Sequence, residues 1–191
     1  MPVTLQAGDI LINSDKFGHV GLAIGNWQGN RSASSTATHC ACMAIVHATN
    51  SGVILDGWGQ KAVVFRPLQL SVTEVLAVSK IAEEIRNGAQ YGAARAVFKS
   101  WTGSSSYGKG ARERLDKYRS RLRMNDTGGT ALSIVKNVFC SELVILAYQL
   151  ALNEDHAQFI RLDGMHSLPS TLKTYLTGRS NAWRMEGDYV P

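Results

Sequence analysis

Residues 137–152 read NVFCSELVILAYQLAL, and a polar segment gives way to a strongly apolar one at Cys140. Apolar residues then recur at the spacing of a helix with one broad buried face, namely Leu143, Ile145, Leu146, Leu150 and Leu152. Asn137 is a suitable N-cap, which would put Cys140 in the first turn. There the helix N–H groups and dipole stabilise a thiolate, so the stretch predicts a cysteine of lowered pKa. The alternative is a buried, unreactive cysteine.

A nucleophilic cysteine needs a base, and the chain has five histidines. His19 and His47 each lie in a strand-like segment, GHVGLAIG and AIVHAT, whereas the others lie in polar or loop-like regions. A polar residue within a β-run either faces solvent or belongs to a site. His19 and His47 are therefore the candidate partners of Cys140, and the alternative is that both are ordinary sheet residues.

The first third of the chain has the pattern of short strands, in the runs GDILINSD, HVGLAIGNW, MAIVHATN, GVILDGW and AVVFRPL. From Ser71 the apolar period becomes helical, with Glu74 completing a capping box and Gly88 ending the helix. A short helical piece follows at 93–101, and another helix is expected to begin after Pro169. These elements predict one α+β domain over residues 1–191, with a mostly antiparallel sheet from the first third and helices packed against it.

Composition limits the classes of protein that fit. No run approaches the roughly 18 apolar residues of a membrane helix, so no transmembrane segment is expected. The start, MPVTLQAGDI, has no basic region or apolar core, so we expect synthesis in the cytoplasm without a signal peptide and any export by another route. Three cysteines, Cys40, Cys42 and Cys140, are not a disulfide framework.

The sequence HCAC, residues 39–42, raises the alternative of a metal site. A C-x-C pair with one histidine and no second ligand pair is poor zinc spacing. We therefore expect no metal and no cofactor.

The net charge of +5 comes from one segment, residues 109–123, KGARERLDKYRSRLR. It holds seven Lys and Arg against Glu113 and Asp116, so the rest of the chain balances to zero. A solvated helix whose side-chain stems cover apolar neighbours is one interpretation, and attraction to an anionic polymer or surface is the other. No aromatic interleaving or nucleic-acid motif accompanies the segment, so no nucleic-acid partner is expected.

Seven short motifs occur in a fixed order along nearly the whole chain: GDILI, GHVGLAIG, IVHAT followed by GV, VVFRPLQL, NGAQYG, FCSELVILAY and LPSTL. This ordered set resembles the circularly permuted NlpC-type cysteine peptidases, a papain-like group. In the permuted order the histidine strand comes first and the cysteine helix near the end, as in this chain. The resemblance implies a papain-like permuted NlpC-type fold, with the nucleophile at a helix N-terminus.

The resemblance also implies roles for individual residues. Cys140 of CSEL would be the nucleophile, and His19 of GHVG the general base. His47, which follows the second strand, would be the third group that orients the base. Permuted members often have an acidic residue there, so Asp56 is the fallback for this third role.

Two further residues match the family near its substrate. Tyr91 of GAQYG matches a tyrosine beside the cleft, and Ser141 follows the nucleophile; an ordinary half-buried tyrosine is the alternative for Tyr91. Both are the expected substrate-binding residues.

The function that the resemblance implies is cysteine hydrolase activity on amide bonds, most of all in peptidoglycan peptides. A wall hydrolase made without a signal peptide would fit an antibacterial toxin exported by a type VI secretion machine to a target cell periplasm, with an immunity protein as partner. The alternatives are a thiol-dependent lipid acyltransferase or esterase, or an intracellular amidase, of the same fold. A binding module that kept only the fold is disfavoured because a cysteine, a histidine and a polar third residue are all present.

Overall fold

The computed structural model describes residues 3–13, 18–26, 43–91, 103–126 and 133–191. Within them the strands are β1 Ile10–Asn13, β2 His19–Asn26, β3 Met43–Thr49, β4 Gly52–Asp56, β5 Ala62–Pro67, β6 Gln90–Tyr91, β7 Asn137–Val138 and β8 Trp183–Tyr189. The helices are α1 Val72–Gly88, α2 Lys109–Asp126, α3 Cys140–Ala151 and α4 Pro169–Thr177, with a short 3-10 helix at Gly164–His166.

Six strands form one antiparallel sheet in the order β4-β3-β2-β1-β5-β8, and β6 and β7 pair in parallel as a separate small sheet. The predicted α+β class with an antiparallel sheet from the first third of the chain is confirmed. The sequence analysis did not predict β8, which adds to the edge of the sheet beside β5.

Helix boundaries follow local sequence signals at two of the helices. The side chain of Ser71 accepts from the Glu74 N–H, the Glu74 carboxylate accepts from the Ser71 N–H, and the helix ends at Gly88, so the predicted capping box is confirmed. The helix predicted near Pro169 begins at that residue. The helical piece predicted at 93–101 lies outside the described residues.

The start of α3 differs from its prediction. Asn137 is not the N-cap, because its backbone is paired with Gln90 in the small sheet. Phe139 is the N-cap instead, and its side chain makes no capping hydrogen bond. Cys140 is consequently the first residue of the helix rather than a residue deeper in its first turn.

The large sheet has an apolar core on each face. The core on the helix-covered face contains Val20, Leu22, Val46 and Ala48 together with side chains of all four helices, including Cys140. The smaller core on the opposite face consists of Leu11, Ala23, Ile45, Trp58, Ala62 and Val64. Because strand side chains alternate, the odd-numbered residues of β2 and β3 lie on this second face.

A buried ion pair joins the residue before β1 to β5. The guanidinium of Arg66 contacts both carboxylate oxygens of Asp9, at 2.9 and 2.7 Å, and the Asp9 side chain is fully buried. The Gln6 N–H also donates to this carboxylate, at 2.8 Å. Asp9 therefore closes a turn, and its charge also has a buried partner that the sequence did not reveal.

The basic segment forms α2, and several of its arginines bind the protein itself. Arg119 donates to the carbonyl oxygens of Gln149 and Leu152 at the end of α3, and Arg121 donates to the carbonyl of Ile134. Arg114 pairs with Asp163. These contacts favour the interpretation in which the segment is a packed helix, with carbonyls at the C-terminal end of α3 receiving donors from Arg119.

No helix within the described ranges is long and apolar enough to cross a membrane.

We expect Asp9→Asn to lower the free energy of unfolding by about 3 kcal/mol, because the Arg66 guanidinium loses its fully buried carboxylate and keeps only Glu186, at 3.1 Å, as a charged partner. Urea unfolding followed by tryptophan fluorescence measures the change. Lys109→Gln is the control: its ion pair with Glu113 is exposed, and the loss should stay below about 1 kcal/mol. Equal losses in the two variants would contradict a stabilising role for the buried pair.

Candidate active site

Two histidines meet on one face of the large sheet. The pairing of β2 with β3 sets Gly21 opposite His47, so the His47 side chain lies diagonally beside that of His19. Nε2 of His19 lies 2.8 Å from Nδ1 of His47, a hydrogen-bonding distance, and the rings meet edge to face. The structure thus brings together the two histidines that the sequence analysis selected.

A third ring, that of Trp58, completes this cluster. The indole stacks on the His19 ring with a centroid separation of 5.2 Å and an interplanar angle of 8°, and it meets the His47 ring edge to face at 5.6 Å. Trp58 is not among the site residues predicted from the sequence. The available signal was a large aromatic residue between Gly57 and Gly59, at the end of the predicted strand run GVILDGW, where a solvated loop would be polar.

Burial governs the protonation of both histidines. It lowers the pKa of His19, and it lowers the pKa of His47 to about 4, with the nearby His19 adding to the effect and Asp56 opposing it. Both rings are therefore uncharged near pH 7, so one ring donates and the other accepts in the bond between them. Nε2 of His47 is buried and has no hydrogen-bond partner among the described residues.

The thiol of Cys140 is 7% exposed and is surrounded by backbone donors. It accepts hydrogen bonds from the N–H groups of Val20, Ser141 and Cys140 itself, which favour the thiolate, but burial outweighs them and raises the pKa of the thiol. The prediction of a lowered thiol pKa is therefore wrong for this structure, because tertiary packing desolvates a sulfur that the helix start alone would stabilise.

The thiol and the histidine pair approach the start of β2 from opposite faces of the sheet. Cys140 belongs to the core on the helix-covered face, and His19, the first residue of β2, lies on the other face. The hydrogen bond from Val20 places the thiol beside the residue that follows His19. Among the hydrogen bonds of the described residues, none joins the thiol to the His19 ring, so their direct contact stays a prediction.

The segments that flank the nucleophile and the base also pack together. Gly18, at φ +64°, lies against Pro169, and a Cβ at this glycine would be 2.8 Å from the proline Cβ. The hydroxyl of Ser141 donates to the carbonyl of Ser167 at 2.6 Å, and the Ser141 side chain is fully buried. That contact anchors the start of α3, and contact of Ser141 with substrate stays a prediction.

The remaining candidates have distinct positions. The backbone of Tyr91 pairs with Val138, two residues before Cys140, so β6 runs beside the approach to the nucleophile. Asp56 is exposed and accepts from the Gly57 N–H at 2.7 Å. His47 rather than Asp56 is thus the residue hydrogen-bonded to His19.

His156 and His166, the other histidines that the structure describes, do not join this cluster. His156 lies 3.2 Å from the carboxylate of Glu74, and His166 lies 3.9 Å from that of Asp163. In the part of the chain that the structure describes, no group of three or more His, Cys, Asp or Glu side chains could hold a metal ion. The HCAC segment considered for metal binding lies outside the described residues.

Comparison with known proteins gives no match, whether with family models, with curated protein sequences or with solved structures. The function is accordingly inferred from the motifs of the sequence and from the geometry of the cluster.

The pKa of His47 generates a pH dependence of stability. The folded pKa, about 4, lies below the ordinary value of 6.5, so the unfolded chain binds the proton more readily between these values. The contribution of His47 to the free energy of unfolding is complete above pH 6.5 and is lost as the pH falls toward 4. In wild type, protonation of His47 accounts for about 3 kcal/mol of the unfolding free energy that is lost between pH 7 and pH 4.

We expect His47→Gln to reduce that loss of unfolding free energy by about 3 kcal/mol, because glutamine does not titrate. Urea unfolding of both proteins at pH 7 and pH 4 measures it. Identical pH dependence of stability in wild type and variant would contradict burial of an uncharged His47.

Proposed function

We propose that this chain is a cysteine hydrolase of the circularly permuted NlpC-type, papain-like fold. Cys140 is the nucleophile, His19 the general base, and His47 the group that orients His19. The observation that carries the proposal is the 2.8 Å hydrogen bond between the two histidines, formed beside the strand residue whose N–H binds the Cys140 thiol.

The hydrogen bond between the histidines allows either ring to donate, and one of the two tautomer states suits a general base. When His47 accepts at Nδ1, the His19 Nε2 carries the proton, and Nδ1 of His19 has the lone pair that accepts a proton from the thiol. In this state His47 holds His19 in the tautomer that a base requires. In this tautomer state the Nε2 of His47 is also protonated.

The reaction begins from a neutral thiol and a neutral imidazole, because burial raises the pKa of Cys140 and lowers that of His19. Proton transfer to His19 consequently accompanies attack of sulfur on the substrate carbonyl carbon. The thiol leaves the Val20 N–H and turns to His19 when substrate enters, since catalytic hydrogen bonds often tighten only in the complex.

The start of α3 stabilises the negative charge that develops on the carbonyl oxygen. Cys140 is the first residue of the helix, so its N–H has no carbonyl partner within the helix and can move from the thiol to the oxyanion when substrate binds. The helix dipole adds to this stabilisation.

Collapse of the tetrahedral intermediate forms an acyl-enzyme, which water then hydrolyses. The His19 imidazolium gives its proton to the leaving nitrogen, the carbon–nitrogen bond breaks, and an acyl thioester remains on Cys140. Water then attacks the thioester with His19 as base, the carbon–sulfur bond breaks, and the proton returns to the thiolate. The products are a carboxylic acid and an amine.

Peptidoglycan peptides are the proposed substrate, and export as an antibacterial effector with an immunity partner is the proposed setting. Both rest on the resemblance of the ordered motifs rather than on the geometry of the site. The same thiol chemistry would cleave lipid esters, and the products distinguish the two.

Digestion of purified peptidoglycan, read by mass spectrometry, tests the proposal. We expect wild type to release new amine and carboxylate termini. Cys140→Ala and His19→Ala should each lose at least about 1,000-fold in rate, and His47→Ala should lose less, about 10- to 100-fold, because it acts only through His19.

His156→Ala is the matched control, since that histidine pairs with Glu74 away from the cluster, and it should retain full activity. Hydrolysis by folded Cys140→Ala at the wild-type rate would contradict the proposal. If the protein cleaves lipid esters and leaves peptidoglycan intact, the proposed thiol chemistry stands and the proposed substrate is wrong.

A further inference from the structure

Trp58 covers the histidine pair on the face of the sheet away from the helices. Its side chain is 5% exposed, and it contacts both rings of the pair: its plane is parallel to that of His19 and steeply inclined to that of His47. It follows β4 by two residues, so a short connection places it over two neighbouring strands. The indole therefore covers the hydrogen bond between the two histidine rings.

The position of the indole is fixed by a close approach to the sheet. A Cβ at Gly21 would lie 2.6 Å from Cζ3 of Trp58 and 2.6 Å from Cγ2 of Ile45, closer than real Cβ contacts allow. Gly21 is two residues after His19 on the same face of β2. The absence of a side chain there lets the indole approach the strand and reach the plane parallel to the His19 ring.

We propose that Trp58 is the positioning residue for the general base, an inference that rests on the proposed function. Trp58 holds the His19 ring in the plane that forms the hydrogen bond to His47, and it excludes water from that bond. Without the indole beside it, the His19 imidazole could rotate about its side-chain bonds and form a hydrogen bond with water instead of His47. The fraction of molecules with Nδ1 of His19 directed to the thiol would fall accordingly.

The indole also acts on the charge of the base. By excluding water it keeps His19 uncharged in the resting enzyme. During acylation His19 becomes a cation, and the π-face stacked on it then attracts that charge, which offsets part of the desolvation cost. Among the described residues, Asp56 at the end of β4 is the charged group that acts on the pair, through His47.

The test uses Trp58→Phe, which keeps a smaller aromatic face, Trp58→Leu, which keeps only apolar volume, and Gly21→Ala, whose Cβ would displace the indole and also press on Ile45. We expect kcat to fall about 10-fold at pH 8 and about 100-fold at pH 5.5 in Trp58→Leu, because a solvated His19 protonates more readily. The loss of kcat should be smaller in Trp58→Phe, and Gly21→Ala should also lower kcat, more strongly at pH 5.5 than at pH 8. KM should change less than about 2-fold in these variants.

Trp183→Phe is the matched control. Trp183 is equally buried, at 2% exposed, but it packs against Tyr148 and belongs to the core of the other face. We expect this variant to lose stability without a change in the pH profile of kcat. A loss of kcat that is the same at every pH in the Trp58 variants would assign Trp58 a packing role and overturn the proposal.

A second measurement separates this proposal from the proposed function. In the Cys140→Ala background, NMR titration of the His19 ring should show its pKa moving up toward its ordinary value when Trp58 is replaced by phenylalanine or leucine. This readout requires no hydrolysis. An unchanged His19 titration in the folded Trp58→Phe protein would overturn the role of Trp58, whereas hydrolysis by Cys140→Ala would overturn only the thiol mechanism.

Discussion

The register between β2 and β3 is the constraint on which the site depends. Pairing of Gly21 with His47 sets both histidines on one face at hydrogen-bonding distance. A slip of one residue would turn His47 to the helix-covered face and break this bond. The same register leaves the space above Gly21 for the indole of Trp58. One strand pairing therefore determines the partner of the base, the tautomer that this partner can enforce, and the wall that shields them.

Segments far apart in sequence converge on this strand pair. Gly18 packs on Pro169 at the start of α4, Ser141 anchors the start of α3 to Ser167, and the small parallel sheet joins Tyr91 to the residue before Phe139. These contacts link motifs that the sequence shows only in linear order. The thiol is held by backbone N–H groups in a buried position, so the resting protein has a protected and weakly acidic nucleophile. In the proposed mechanism, substrate binding supplies the contact between thiol and base that the resting structure lacks.

The sequence predicted those features that depend on neighbouring residues. The short strands, the capping box at Ser71 and the helix that begins at Pro169 have local signals, and the strand context of His19 and His47 singled them out. Features set by tertiary packing were missed or wrong. The pKa of Cys140 depends on burial by distant elements, and Asn137 is taken into a parallel pair with Gln90. The arginines of α2 bind carbonyls, and Trp58 lies over the site, through contacts that no sequence spacing encodes.

Detection of an acyl group on Cys140 during turnover tests the central claim most directly. The protein is mixed with soluble peptidoglycan fragments, quenched in acid within the first turnovers, and analysed by intact mass and peptide mapping. The account predicts that the acyl part of the substrate replaces one hydrogen on the peptide containing Cys140, and that hydroxylamine removes it, as expected of a thioester. Product accumulation with no adduct, or with an adduct mapped to another residue, would contradict the assignment of Cys140 as nucleophile.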